Sequence, residues 1–297
     1  MKFRVVSVTG PGALGIRDNG LRIERAGAEV AKIPIEDIAV VVLDGPDITL
    51  SHQVLSVCAE HGVALISADD RRLPNGILLP LAGHTLHTST LRLQIEASKP
   101  NAKRAWQRII RAKILAQASH LEHWNLPSDD MRKMAAMVRS GDPDNLEARS
   151  AARYFGTLFG PDFVRDRESV GLNAFLNYGY AVLRAAVARA VVGAGLHPAI
   201  GIFHRSQYNA LCLADDAMEP LRPLVDALAK NLVLRGLGEE SITPQIKREL
   251  IAILGATVDF EGSQFPLMVG LERYAASLRR SICEGEDLSV PIPLFSP

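Results

Sequence analysis

Residues 201–220 read GIFHRSQYNALCLADDAMEP, which puts His204, Asp215, Asp216 and Glu219 within one short stretch, among Arg205, Ser206, Gln207 and Asn209. Packing alone has little use for so many metal-ligating and hydrogen-bonding side chains together. An imidazole and a carboxylate at this spacing can hold a divalent cation if another carboxylate joins them from elsewhere. The candidate is Glu147, in the run DPDNLEARSAARYF at 142–155. Two carboxylates and one imidazole form a mainly hard-oxygen set, better suited to Mg²⁺ or Mn²⁺ than to a closed zinc site. Such a site leaves room for phosphate oxygens, and its chemistry would be phosphodiester cleavage or transfer. Asp216 lies three residues before Glu219, so on a helix it would point the same way and could support a ligand from behind or ligate occasionally.

Each of these residues also has a purely structural reading. Asp144 and Glu147 have capping-box spacing. His204 could be a hydrogen-bonded histidine at the end of a strand, and Glu219 a residue just outside a helix that starts at Pro220. Arg149 and Arg153, four apart, share a helix face that could meet an anion, and Ala148, Ala151 and Ala152 permit close packing. His84/His87 has metal-binding spacing for a helix but no acid beside it, and His120/His123, in HLEH, sits near a helix end where partial positive charge is favourable, so both pairs predict structural or capping roles. Gly10, Gly12 and Gly15 match a dinucleotide-binding pattern, yet the residues that follow alternate like a hairpin. Without a helix opening there, the match predicts only a glycine-rich turn.

The elements that must position these groups fall into two kinds. Short strands separated by turns are predicted at 3–8, 13–17, 21–25, 29–33, 39–43, 63–67 and 77–81, with a helix within 48–61. The β-branched run at 39–43 suits a strand buried on both faces. From about residue 85 the period becomes helical. Helices are predicted at 101–124, 128–139, 173–193, 223–234, 244–254 and 266–282, with an extended interruption at 256–260. In the first of these, Trp106, Ile109, Ile110, Ile114 and Leu115 are assigned to the apolar side. Lys103, Arg104, Arg108, Arg111 and Lys113 are assigned to a basic face that is either solvated or tracks phosphates. The proline-rich end, 290–297, predicts a frayed tail or a strip that docks on a neighbour. The fold class is α+β, with a small β-rich domain at 1–83 and a larger all-α catalytic domain at 84–297.

The 33 basic and 33 acidic residues cancel, so net charge singles out no partner. Residues 92–153 nevertheless carry 12 basic against 7 acidic side chains. The three dispersed cysteines argue against a disulfide framework and predict a reducing, cytoplasmic setting. No apolar run predicts a membrane span or a signal peptide.

The motifs NLEARSAARYF at 145–155, HRSQYN at 204–209 and DAMEPLRP at 216–223 resemble the CRISPR adaptation integrase, the metal-dependent nuclease and integrase that inserts new spacers, in its type II version. The similarity covers nearly the whole chain, including the strand-then-helix order. It implies that Glu147, His204 and Glu219 are the catalytic metal ligands, with Mg²⁺ or Mn²⁺. Arg149, Arg153, Arg205 and Asn209 are candidate nucleic-acid contacts. The resemblance also implies a homodimer formed through the β domains, and two such dimers on a small dimeric second adaptation protein holding double-stranded DNA. The reaction would be attack of a spacer 3′-hydroxyl on a repeat phosphodiester. Many type II members carry two consecutive histidines where this chain has Phe203 and His204, so the ligand position is kept. Two other readings stand beside integration: a metal-dependent phosphodiesterase on branched DNA, and a non-catalytic DNA-binding scaffold whose acids only cap helices.

Overall fold

The β-branched run Ile38–Asp44 is buried along its whole length because it lies between two cores. In the computed structural model, residues 2, 4–69, 74–81, 83–166 and 170–295 are described. The chain opens with β1 (Arg4–Thr9), β2 (Gly12–Arg17), β3 (Gly20–Arg25), β4 (Ala28–Pro34), β5 (Ile38–Asp44) and β6 (Ile48–Leu50). Then come α1 (His52–Glu60), β7 (Ala64–Ala68) and β8 (Pro74–Leu78). One sheet has the order β1-β5-β7-β8, with β8 antiparallel, and the other β4-β3-β2-β6. Successive side chains on a strand point to opposite faces. Val41 and Leu43 therefore join the small core of Leu14, Leu21, Ile23 and α1, while Val40 and Val42 face the helices. The glycine-rich turn behaves as expected: β2 starts at Gly12 and no helix opens there. Phe3, included in the first predicted strand, lies outside the described residues.

The helical part contains α2 (His87–Ile95), α3 (Lys99–His123), α4 (Asp129–Met137), α5 (Leu146–Phe159), α6 (Leu172–Gly193), α7 (Cys212–Met218), α8 (Arg222–Leu234), α9 (Pro244–Ile251) and α10 (Leu267–Glu284). Between and after the last two lie β9 (Thr257–Phe260), β10 (Ser263–Pro266) and β11 (Ile292–Pro293). The α6 helix is buried nearly all round, as its Ala-, Val- and Leu-rich sequence requires. Gly179 lets α8 approach closely, since a Cβ there would lie 2.5 Å from Val225 Cγ1. Two contacts tie the β layers to the helices. Asp44, at the end of β5, receives both its hydrogen bonds from Lys247 of α9, at 2.8 and 2.9 Å. Arg189 of α6 donates to the Gly62 carbonyl.

Two expectations are corrected here and one is sharpened. The extended interruption expected at 256–260 is β9, and it makes the second region predominantly helical rather than all-α: β9 pairs with β10 on one side and β11 on the other, both antiparallel. The proline-rich end, of its two readings, is an extended strip rather than a frayed tail, and within the chain it docks on β9, where Ile292 and Pro293 pair with Asp259 and Val258. Proline is tolerated there on the outer strand of the sheet. Behind it, the Phe295 ring stacks on His120 at 4.8 Å. Leu115, assigned to the apolar stripe of α3, is exposed instead.

Candidate active site

Asp216, on α7 and fully buried, organises the loop that carries His204. One carboxylate oxygen accepts the amides of Ile202 (2.6 Å) and Phe203 (2.9 Å). The other accepts the His204 amide at 3.2 Å and faces His204 Nδ1 at 2.5 Å. Against a carboxylate, Nδ1 is the protonated nitrogen, which leaves Nε2 unprotonated in the neutral ring. The hydrogen bond to Asp216 raises the imidazole's pKa. A loop this tight has no space for a side chain at Gly201, where a Cβ would lie 2.3 Å from the His204 carbonyl oxygen. His204 is half-exposed and lines an open cleft of about 660 Å³ with Arg165, Arg184, Glu219 and Arg222.

Glu147 enters from α5. Its helix is not started by the expected capping box, because Asp144 turns away to pair with Arg139. Asp142 accepts the amides of Leu146 and Glu147 instead, both at 2.9 Å. Positive φ at Asp142 and Asn145 brings that carboxylate under the helix end. Glu147 is therefore spared from capping.

Glu147 and Glu219 meet across an ammonium. Lys113 Nζ donates to Glu147 Oε1 and lies 2.5 Å from Glu219 Oε2. At that distance the ammonium, with three rotatable donors, serves Glu219 Oε2 as well as Glu147. Glu219 Oε1 accepts from Arg222 Nε at 2.7 Å, and the Arg222 guanidinium lies over the Tyr180 ring. Burial alone would raise the Glu219 carboxyl, but Arg222 and then Lys113 outweigh it and hold it at about 2. Burial likewise works against the Lys113 charge, and the two glutamates overcome it. Lys113 is thus corrected from the solvated face of α3 to its buried one. Its spacing from Trp106, Ile109 and Ile110 was the available signal.

Of the three expected ligands, the fold brings Glu147 and Glu219 to one point, on a smaller cavity of about 300 Å³. Glu219 also lines the larger cleft, where His204 stands. Among the described residues no three His, Cys, Asp or Glu side chains form a metal cluster. The donor chemistry nevertheless fits a divalent cation: two carboxylates, one of them buried, converge on one point that a cationic group already occupies.

The candidate DNA contacts divide. Arg153 pairs with Asp130 at 2.6 Å. Asn209 donates to Asp215 at 2.7 Å and accepts from Arg184 at 2.6 Å. Arg149 and Arg205 are exposed, as are Lys103, Arg104 and Arg108 on α3. The histidine pairs take structural positions. His120 is buried between Tyr154 OH (2.6 Å) and Trp124 Nε1 (3.0 Å), and His84 Nδ1 accepts the Leu86 amide. Lys113, Arg222, Asp142, Arg165 and Arg184 were not assigned to the site from the sequence.

Residues 6–245 match the family described as CRISPR associated protein Cas1. The chain belongs to the Cas1 family. The CRISPR-associated endonuclease Cas1 of Neisseria meningitidis serogroup C (strain 8013) is 38% identical over 299 residues, which span 100% of this chain and 98% of the relative. As a member of the Cas1 family the chain is an endonuclease, and its α+β arrangement is that family's. A casposase bound to integration product superposes with a TM-score of 0.77 at 18% identity, covering 97% of this chain and 92% of the casposase. A Cas6-RT-Cas1–Cas2 complex gives a TM-score of 0.73 at 19% identity, covering 96% of this chain and 35% of the larger one. At those identities the likeness is one of fold. Among the described residues no helix is long and apolar enough to cross a membrane.

Proposed function

We propose that the chain is a metal-dependent DNA integrase with endonuclease activity, in which Glu147, His204 and Glu219 hold Mg²⁺ or Mn²⁺. The observation that carries this reading is the meeting of Glu147 and Glu219 at a buried cationic group, beside the cleft into which His204 opens. When bound, the metal supplies charge neutralisation at a phosphodiester and activation of the attacking oxygen. The remaining work belongs to the chain. Asp216 fixes the His204 ring and leaves Nε2 as a donor atom, as a carboxylate behind a ligating histidine does. Arg222 fixes Glu219 through Oε1. Arg165 lines the cleft and adds positive charge toward a polyanion, whereas Arg184 is paired there with Asp215 and Asn209.

The reaction is attack of a 3′-hydroxyl on a repeat phosphodiester. A new P–O bond forms as the old one breaks, and the departing 3′-oxygen takes the proton, so no ATP is required. The likeness to a casposase bound to integration product and to a Cas6-RT-Cas1–Cas2 complex supports action on double-stranded DNA together with a second adaptation protein. The homodimer, and the assembly of two such dimers on that small dimeric protein, belong to the proposal as what the sequence resemblance implies. Arg149 and Arg205 are the contacts best free to meet phosphates, since Arg153 and Asn209 are engaged within the fold.

The test is strand transfer of a short duplex into a repeat-containing target, with Mg²⁺ or Mn²⁺ and the partner present. Joined products from wild type and none from His204→Ala or Glu219→Ala are expected. Full activity in either variant would sink the assignment. Cleavage of branched DNA without joined products would favour the phosphodiesterase. Salt-sensitive binding with no metal dependence would favour the scaffold.

A further inference from the structure

A buried ammonium needs carboxylate partners, and Lys113 takes two at once, Glu147 and Glu219. Without it those carboxylates, one of them buried, would face each other as like charges and repel. A divalent cation between the same oxygens could not share the space with the ammonium, for the same reason. One of the two must leave.

Glu219 is divided in a way that permits the exchange. Its Oε1 is fixed by Arg222, whereas its Oε2 is held by the Lys113 ammonium. A second, independent observation lies one turn along α3. Gln117 is 2% exposed, lines the same cavity as Lys113, and its Oε1 has no hydrogen-bond partner. Helical side chains lean toward the N-terminus, so the Gln117 amide reaches back over the turn that carries Lys113. A buried carbonyl oxygen left unbonded is costly, and an ammonium is its natural donor.

We propose that Lys113 is a removable counter-ion of the metal site: its ammonium holds Glu147 and Glu219 together while no divalent cation is present, and withdraws to the Gln117 carbonyl oxygen when one enters. The inference rests on the metal reading above and adds to it a device internal to this chain. The carboxylates stay preorganised without metal, and the metal must compete for them. Lys113 is then a positioning residue, acting on the ligands rather than on DNA.

The experiment compares the full chain as wild type, Lys113→Met, Gln117→Leu and Glu219→Gln. Mn²⁺ affinity is read from the loss of the free-ion electron paramagnetic resonance signal, and melting temperature is read in chelator and in Mn²⁺. Lys113→Met should bind Mn²⁺ on the order of ten- to a hundredfold more tightly, the scale of one charge-assisted hydrogen bond. It should melt lower than wild type in chelator and recover with Mn²⁺. Gln117→Leu should bind about tenfold more weakly, with no loss of melting temperature in chelator. Unchanged affinity in Gln117→Leu overturns the proposal even if Lys113→Met does not fold. Equal or weaker binding by a folded Lys113→Met overturns it too. If Glu219→Gln abolishes binding while those two variants match wild type, the metal site stands and the counter-ion alone falls. If wild type binds no Mn²⁺, both fall.

Discussion

Two buried lysines face carboxylates in this molecule, and they differ in almost everything else. Lys247 is sealed with Asp44, each side chain about 1% exposed, one ammonium satisfying both oxygens of one carboxylate. Lys113 is shared between two glutamates on different elements, one of which, Glu147, reaches solvent at 30% exposure. The first pair joins β5 to α9 and leaves nothing unbonded. The second stretches one ammonium over two carboxylates at the edge of a cavity. Burial of an ion pair therefore says little about function. Stoichiometry and access separate a latch from a site.

The latch gives the largest expected effect. Lys247→Met strands a buried carboxylate and should cost about 3–5 kcal/mol in denaturant unfolding. The folded fraction should keep its DNA-processing activity. Replacing Asp44 by Leu in the same chain should recover most of the lost stability, and failure to do so would break the distinction. Next comes Glu147→Gln, which should lower cleavage and strand transfer by on the order of 10²–10³, the scale for removing a charge-stabilising group from a reacting centre. Its stability should fall far less than that of Lys247→Met. Asp216→Asn should reduce Mn²⁺ affinity or activity about 10–100-fold, as changes behind a metal-ligating histidine do. The loss should come with weakened protection of the 202–204 amides in hydrogen exchange.

The smallest effect, taken per pH unit, concerns a buried neutral group with no ion partner. Burial, then His123 and Lys230, push the His120 pKa down to about 3. Its ordinary value is about 6.5, so as pH falls below that the unfolded chain takes the proton first. The stability contributed by neutral His120 is thus complete above about 6.5 and lost toward 3, at about 1.4 kcal/mol per pH unit. Asp226 tilts the other way, since burial raises its carboxyl to about 6 against the opposing pull of the Tyr180 and Tyr154 hydrogen bonds. Subtracting the pH profile of His120→Gln from that of wild type isolates the histidine. A flat difference between pH 4 and 6.5 would remove it from the account.

Much of this was legible in the chain. The run at 39–43 announced a strand covered on both faces. The hairpin-like alternation after Gly15 correctly outweighed the glycine pattern, and the extended interruption at 256–260 is β9. What escaped has identifiable causes. β10 has four residues, too few for a clear period of two, and β11 reaches β9 only after the whole of α10. The start of α5 was misassigned because positive φ at Asp142 and Asn145 lets the earlier aspartate cap it. Lys113 was grouped with the basic face of α3 by residue type, although its spacing from Ile109 and Ile110 put it on the buried one. The sequence pattern marked Glu147, His204 and Glu219 as a set. It could not reveal that a lysine stands between two of them.

The double burial of β5 has a consequence for synthesis on the ribosome. Its Val41 and Leu43 side can be covered as soon as β1–β4 and α1 have emerged. The side formed by Val40, Val42, Ala64 and Ile66 must wait for α6, more than a hundred residues later. For that interval the nascent chain presents an uncovered apolar sheet face to solvent. The half-made protein, rather than the finished one, is the species most in need of chaperones.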